Sequence, residues 1–197
     1  MTAELLSALI AYAFVTSATP GPNNVMLLAS GVNFGFRRSI PHMLGIGIGF
    51  SVMVILVGLG LAGVFVAWPP AHAILQTVSA GYMLWLAWKI AQTAPPDGQA
   101  ASGRPLNFLQ AAAFQWVNPK AWVMALGAVT LYAPGQELPA ILWVAAVFAM
   151  VNLPTVSLWT ALGVGLTGLL SRPRHLRRFN RVMALLLVAS LYPVLRP

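Results

Sequence analysis

Two short runs hold polar groups where the surrounding residues are almost all apolar. The first is Thr19-Pro20-Gly21-Pro22-Asn23-Asn24. Its two prolines remove amide donors and clash with the preceding turn, and the glycine adds backbone freedom, so a continuous helix is difficult there. In hydrocarbon the freed backbone groups need partners, and such a break is tolerated only where protein or a water-lined cavity surrounds it. A half-helix starting near Asn23 presents amide N–H groups and a positive dipole end, which suits a carboxylate. The second run is Asn118-Pro119-Lys120. Counted from Phe108, the rise of an α-helix puts Lys120 about 18 Å deep, near the middle of a bilayer. A lysine there costs about 3 kcal/mol and by default marks a functional interior. Its chemistry is carboxylate pairing or a proton-linked role. A plain proline kink and a snorkelling lysine are the bland alternatives, but the lysine stem is short for snorkelling from that depth.

Proline-interrupted segments in matching places of two halves point to a central binding site. The expected substrate-binding set is Pro20, Gly21, Pro22, Asn23, Asn24, Asn118, Pro119, Lys120 and Asn152. The amides of Asn23, Asn24 and Asn118 offer donors and acceptors to a zwitterion. Asn152 comes from Val151-Asn152-Leu153-Pro154, which interrupts an apolar stretch too long for one untilted span.

Much other chemistry is excluded. The chain has no cysteine, so thiolate metal sites, cysteine nucleophiles and disulfides are absent. Its three acids, Glu4, Asp97 and Glu137, sit at helix ends or in loops, which leaves no carboxylate pair for acid/base catalysis and no midplane carboxylate relay. His42, His72 and His175 are scattered over loops or helix ends and predict neither a metal cluster nor more than interfacial roles. No phosphate-cradling Gly-Lys-Ser/Thr loop appears. No cofactor is expected.

The elements that must position the polar runs are membrane helices. Of 197 residues, 59% are hydrophobic and 7% charged, far below the charge of a soluble domain. A net charge of +8 would suggest nucleic acid in a soluble protein, but here a lipid bilayer is the expected partner. Six apolar stretches are legible: Leu5 to Phe34, Ile40 to Trp68, His72 to Ile90, Phe108 to Tyr132, Leu138 to Leu170 and Val182 to Leu195. The last is short for a span, so five spans remain an alternative. Met1-Thr2-Ala3-Glu4 lacks a basic n-region, which predicts that the first helix is retained. Nine of the eleven Lys and Arg fall in loops 35–39, 91–107 and 171–181 or beside them, which predicts those loops cytoplasmic and both termini outside. The Gly-, Ala- and Pro-rich stretch from Gln92 to Asn107 reads as a cytoplasmic linker between a first half, 1–91, and a second, 108–197, of one transmembrane domain. Three spans per half invert the second half relative to the first. The expected fold is thus an all-α integral membrane protein of six helices in two inverted three-helix halves, with helices 1 and 4 broken. The glycines along the second helix (Gly45, Gly47, Gly49, Gly58, Gly60, Gly63) and the fifth (Gly163, Gly165, Gly168) read as close-packing surfaces.

The run Thr19 to Asn24, followed by Gly35-Phe36-Arg37-Arg38 and Gly45-Ile46-Gly47, resembles the amino-terminal signature of the LysE/RhtB amino-acid exporter family. Tyr82-Met83-Leu84-Trp85-Leu86-Ala87-Trp88-Lys89 and Asn118-Pro119-Lys120-Ala121 are similar to two further patterns of that family, in the expected order. The paired asparagines, the run from Trp85 to Ala91 and Ala184-Leu185-Leu186-Leu187-Val188 are similar to its cysteine and O-acetylserine branch. Ser39 and Ala87 depart from the pattern, where glycine is usual, but neither touches the expected cavity. The resemblance implies a bacterial inner-membrane exporter of amino acids or related metabolites, driven by an ion gradient, usually protons, with homo-oligomers left open. Divalent-cation or inorganic-ion efflux, and a non-transport membrane enzyme or assembly factor, are the competing classes. The scarcity of acids argues against the former and the lack of a catalytic constellation against the latter.

Overall fold

The computed structural model describes residues 2–93 and 103–192. Asp97, most of the expected linker and the last residues of the sixth stretch lie outside them. Among the described residues the chain is helical: α1 (Ala3–Ala18), α2 (Pro22–Phe34), α3 (Phe36–Leu56), α4 (Gly63–Ala67), α5 (Pro70–Gln92), α6 (Phe108–Val117), α7 (Pro119–Tyr132), α8 (Leu138–Leu166) and α9 (Pro173–Ala189). Every apolar stretch read from the sequence coincides with one helix or an adjoining pair. Phe36–Leu61 and Leu138–Leu166 are each long and apolar enough to cross a membrane, and α1 with α2, bent by 57°, makes a third if the pair is one span.

Proline sets both breaks. Thr19 and Gly21 are extended, and Pro22 opens α2 at a first-turn position where its missing N–H costs nothing. Asn118 is likewise extended, and Pro119 opens α7. The helix before this second break is fixed at its start by a capping box, Asn107 with Gln110. Past α3, a π-helical turn at Val57–Leu61 contains Gly60 at φ 98°, a left-handed conformation that L side chains resist.

Two expectations about where helices start and break require correction. Val151 to Pro154 does not interrupt its helix: α8 runs through Pro154 unbroken for 29 residues. One proline deletes a single rung, the one to the Met150 carbonyl. The Thr155 hydroxyl donates to the next carbonyl, that of Val151, at 2.7 Å. The sixth helix, for its part, begins at Pro173, so the basic residues from Arg174 to Arg181 are helical and not a loop. Proline at the first helical position starts it, and arginine is a good helix former.

Buried apolar residues form two cores, and the helix breaks fall between them. One joins Leu9 and Ala13 of α1 to Phe50 and Met53 of α3, Ala121 to Val129 of α7, and Ile141 to Phe148 of α8. The other joins Val25 to Ala29 of α2 to Met43, Ile46, Met83, Phe114, Val156 and Leu187. Each broken helix therefore contributes one segment to each core. Large side chains such as Phe14, Leu109, Val123 and Met150 stay exposed on the outside of the bundle, as lipid-facing positions would.

The glycines divide. A Cβ on Gly45 would run into the Phe108 carbonyl, and one on Gly49 would lie 2.6 Å from the Ala112 Cα, so α3 and α6 meet backbone to backbone. Gly31 and Gly163 hold α2 against α8 in the same way, and Gly58 makes room for Ile141. Gly47 has only an ordinary contact, at 3.6 Å, while Gly60, Gly63, Gly165 and Gly168 face open space, so the expectation of packing fails for these.

Buried amides join α2 to α9. Asn33 and Asn180 exchange hydrogen bonds of 2.8 and 3.0 Å, and Asn180 is fully buried. Replacing either one strands the other's amide. A double-mutant cycle with Asn33→Leu and Asn180→Leu, read as detergent-solubilised thermal stability, is expected to give a coupling of about 1 kcal/mol, with the double variant more stable than the sum of the singles implies.

Candidate functional site

The two breaks face each other across the bundle, and Lys120 joins them. As the second residue of α7 it reaches to the end of α1, where its ammonium donates to the Thr19 carbonyl at 2.5 Å and to the Thr19 hydroxyl at 2.9 Å. A helix C-terminus carries partial negative charge on its unpaired carbonyls, so a cation is favoured there. Gly21 makes the seat: a Cβ would lie 2.6 Å from the lysine Cδ and 3.1 Å from its Nζ.

The asparagines pin the breaks. Asn24 donates to the carbonyls of Ser17 and Thr19, both at 2.8 Å, tying the first turn of α2 to the end of α1. Asn118 accepts the Lys120 backbone N–H at 3.2 Å and caps α7. Asn23 pairs with Gln115 of α6, its amide donating at 2.9 Å and accepting at 3.2 Å. Gln115 is fully buried and also donates to the Ala111 carbonyl. The amides expected to meet a substrate are thus engaged with protein groups in this conformation, holding the unwound backbone in shape.

These residues enclose a small chamber. Thr16, Ser17, Gly21, Asn23, Asn24 and Asn118 line it with Lys120 and Asn152, and it measures about 20 Å³. That is room for about one water. Beyond Gly21 and Lys120 opens a larger cleft of about 780 Å³, with Pro20, Pro22 and Pro119 on its wall and mostly apolar residues around them. Gly21 and Lys120 border both spaces. The lysine seated on Thr19 is therefore part of the partition between chamber and cleft.

Eight of the nine expected residues come from the two breaks. Asn152, from continuous α8, is buried and lines the chamber. Gln115 and Thr19 lie outside the expected set, although Thr19 opens the first polar run. A lone glutamine inside the apolar run from Phe108 was the available signal, because an amide at that depth needs a partner. His42, expected at an interface, is instead 2% exposed within α3, and neither ring nitrogen has a hydrogen-bond partner.

The Gly21 seat yields a prediction. Its backbone is extended, with φ at −172°, a conformation any residue adopts, so Gly21→Ala strains only the lysine. Because that contact is the movable end of a side chain, the variant is expected to fold with stability within about 1 kcal/mol of wild type while losing most transport. Membrane abundance and efflux, measured on the same cells, separate the two.

Apolar helices broken by prolines and meeting around buried amides and a lysine fit a membrane transport protein. A family model described as LysE type translocator matches residues 14–191, and the chain belongs to that family. It is similar to the cysteine/O-acetylserine efflux proteins of Escherichia coli K12, Escherichia coli O9:H4 (strain HS) and Shigella sonnei (strain Ss046). Each is 34% identical over 191 residues, covering 95% of this chain and 96% of the relative. No solved structure matches the chain.

Proposed function

We propose that this protein exports amino acids or related small zwitterionic metabolites, of the cysteine and O-acetylserine kind, across the bacterial inner membrane by alternating access. The observation that carries this is Lys120, seated on the carbonyl end of a broken helix between a small polar chamber and a large, mostly apolar cleft. A substrate carboxylate is a better partner for an ammonium than a backbone carbonyl, because an ion pair of this kind is charge-assisted on both sides. Binding in the widened chamber draws Lys120 off Thr19, and that release opens the partition to the cleft. Asn23, Asn24, Asn118 and Asn152 supply the polar walls, and Pro20, Gly21, Pro22 and Pro119 keep the backbone open there. Relatives named for cysteine and O-acetylserine efflux support the substrate class.

Six spans in two inverted halves, 1–91 and 108–197, fit the packing. α3 lies against α8 and α5 against α9, the pairs that would exchange under such a symmetry, and α1 on α8 matches α6 on α3, although the extensive packing of α2 on α8 has only a slight counterpart in α7 on α3. Arg38, Lys89, Arg104 and the start of α9 gather at one end of the bundle, since Arg38 reaches the Gly103 carbonyl and Asn180 meets Asn33. We take that end as cytoplasmic, with the Lys120 cleft opening outward. Proton coupling then runs through Lys120, the substrate's own ionisable groups or water, since Glu4 and Glu137 lie at helix ends.

The test is to overproduce the protein and assay the medium for amino acids and O-acetylserine against a vector control. Accumulation of one or more of them outside is expected. An unchanged medium across the panel would sink the reading.

A further inference from the structure

A second cavity, of about 310 Å³, lies at the basic end of the bundle, away from the Lys120 chamber. Ser30 and Asn33 of α2, His42 of α3, Lys89 of α5, and Arg104 and Leu106 line it together. Arg38 holds this last segment in place through its hydrogen bond to the Gly103 carbonyl, at 3.3 Å. The polar groups here differ in one respect. Asn33 is satisfied by the Ala29 carbonyl and Asn180, and Ser30 by Ser39 at 2.7 Å. His42 is buried in the wall with both ring nitrogens unpartnered and covered, so that a solute in the cavity meets them only as the wall gives way. A buried polar group without a partner costs stability, so its retention calls for a reason. Neutral imidazole carries one N–H donor and one lone pair, the complement of a carboxylate and an ammonium on one small molecule. Lys89 and Arg104 add positive charge at the rim, and among the described lining residues there is no acid.

We propose that this cavity is a capture site for small zwitterionic metabolites on the cytoplasmic side, with His42 bonding the solute and Lys89 and Arg104 drawing in its carboxylate. The proposal rests on the export reading above and adds a second site to it.

The test uses the full-length protein with O-acetyl-L-serine as probe. Binding is measured in phosphatidylcholine nanodiscs, and uptake in inside-out vesicles, where the cytoplasmic face meets the medium. His42→Phe keeps the ring shape and removes the unpartnered nitrogens. It is expected to weaken probe binding and raise the half-saturating concentration about fivefold, while thermal stability holds or rises. His42→Gln, which restores a donor and an acceptor, should recover part of the affinity. If His42→Phe fails to fold, Lys89→Gln carries the test, with an expected loss of about threefold in affinity. Wild-type affinity in folded His42→Phe would overturn the capture site while leaving export standing, as would binding that requires anionic lipid. Weakened binding in that variant, with no transport by wild type, would sustain the site and sink export. A wild type that neither binds nor moves the probe or cysteine would overturn both.

Discussion

Lys120→Met is expected to lower efflux about 30-fold or more, the equivalent of about 2 kcal/mol of lost charge-assisted bonding to a carboxylate. Methionine keeps the length and apolar stem of lysine, so packing against Gly21 survives while the ammonium on Thr19 is lost. Removing a cation from membrane depth favours insertion, so the variant should be at least as abundant in the membrane as wild type. That direction matters, because loss of transport with full abundance assigns the defect to the site and not to folding. Lys120→Arg should rescue poorly. The planar guanidinium is larger than an ammonium, and the notch is so close that a single Cβ on Gly21 would collide with the lysine stem. Efflux of O-acetylserine or cysteine from loaded cells, normalised to membrane protein, is the measurement.

Both breaks and Lys120 were legible in the sequence because each rests on local chemistry. Proline without a donor and a charge inside an apolar run are meaningful wherever the rest of the chain goes. Which groups the asparagines bond was not legible. Asn23 and Asn24 read as substrate ligands, and in this conformation their amides bond Gln115, Ser17 and Thr19, partners that only helix packing or the geometry of the break itself brings to them. His42 reads as interfacial because the sequence places it among the loops and helix ends. The helix instead absorbs Pro41 and turns the imidazole inward. Pro154 shows the same limit in reverse, since α8 runs through it unbroken whereas Pro119, also a lone proline, opens a new helix after the extended Asn118. Among the glycines, spacing alone did not separate Gly45 and Gly49, which meet α6, from Gly60 and Gly63, which meet nothing.

That division underlies the second large effect. A side chain at Gly31 would strike the Thr160 carbonyl and come within 3.1 Å of the Val164 nitrogen, and one at Gly163 would strike the Leu28 carbonyl. These are backbone atoms of packed helices and cannot swing aside. Gly31→Val is therefore expected to cost about 3 kcal/mol or more, about 10 °C in the unfolding midpoint of the detergent-solubilised protein. Gly47→Ala, whose added carbon makes only an ordinary contact with Leu153, should stay within about 1 kcal/mol of wild type. Thermal unfolding followed by size-exclusion chromatography reads both. Equal midpoints would mean that α2 and α8 do not approach as closely as the two glycines indicate.

Transport by this chain alone is the claim on which the roles of Lys120, the chamber and the cleft depend. Purified protein in liposomes preloaded with unlabelled O-acetylserine or cysteine, and supplied outside with the same compound carrying a radiolabel, measures it by counterflow. Label should enter faster than in protein-free liposomes, and Lys120→Met should remove most of the difference. Influx into wild-type proteoliposomes no faster than into empty ones, for both compounds, would contradict it.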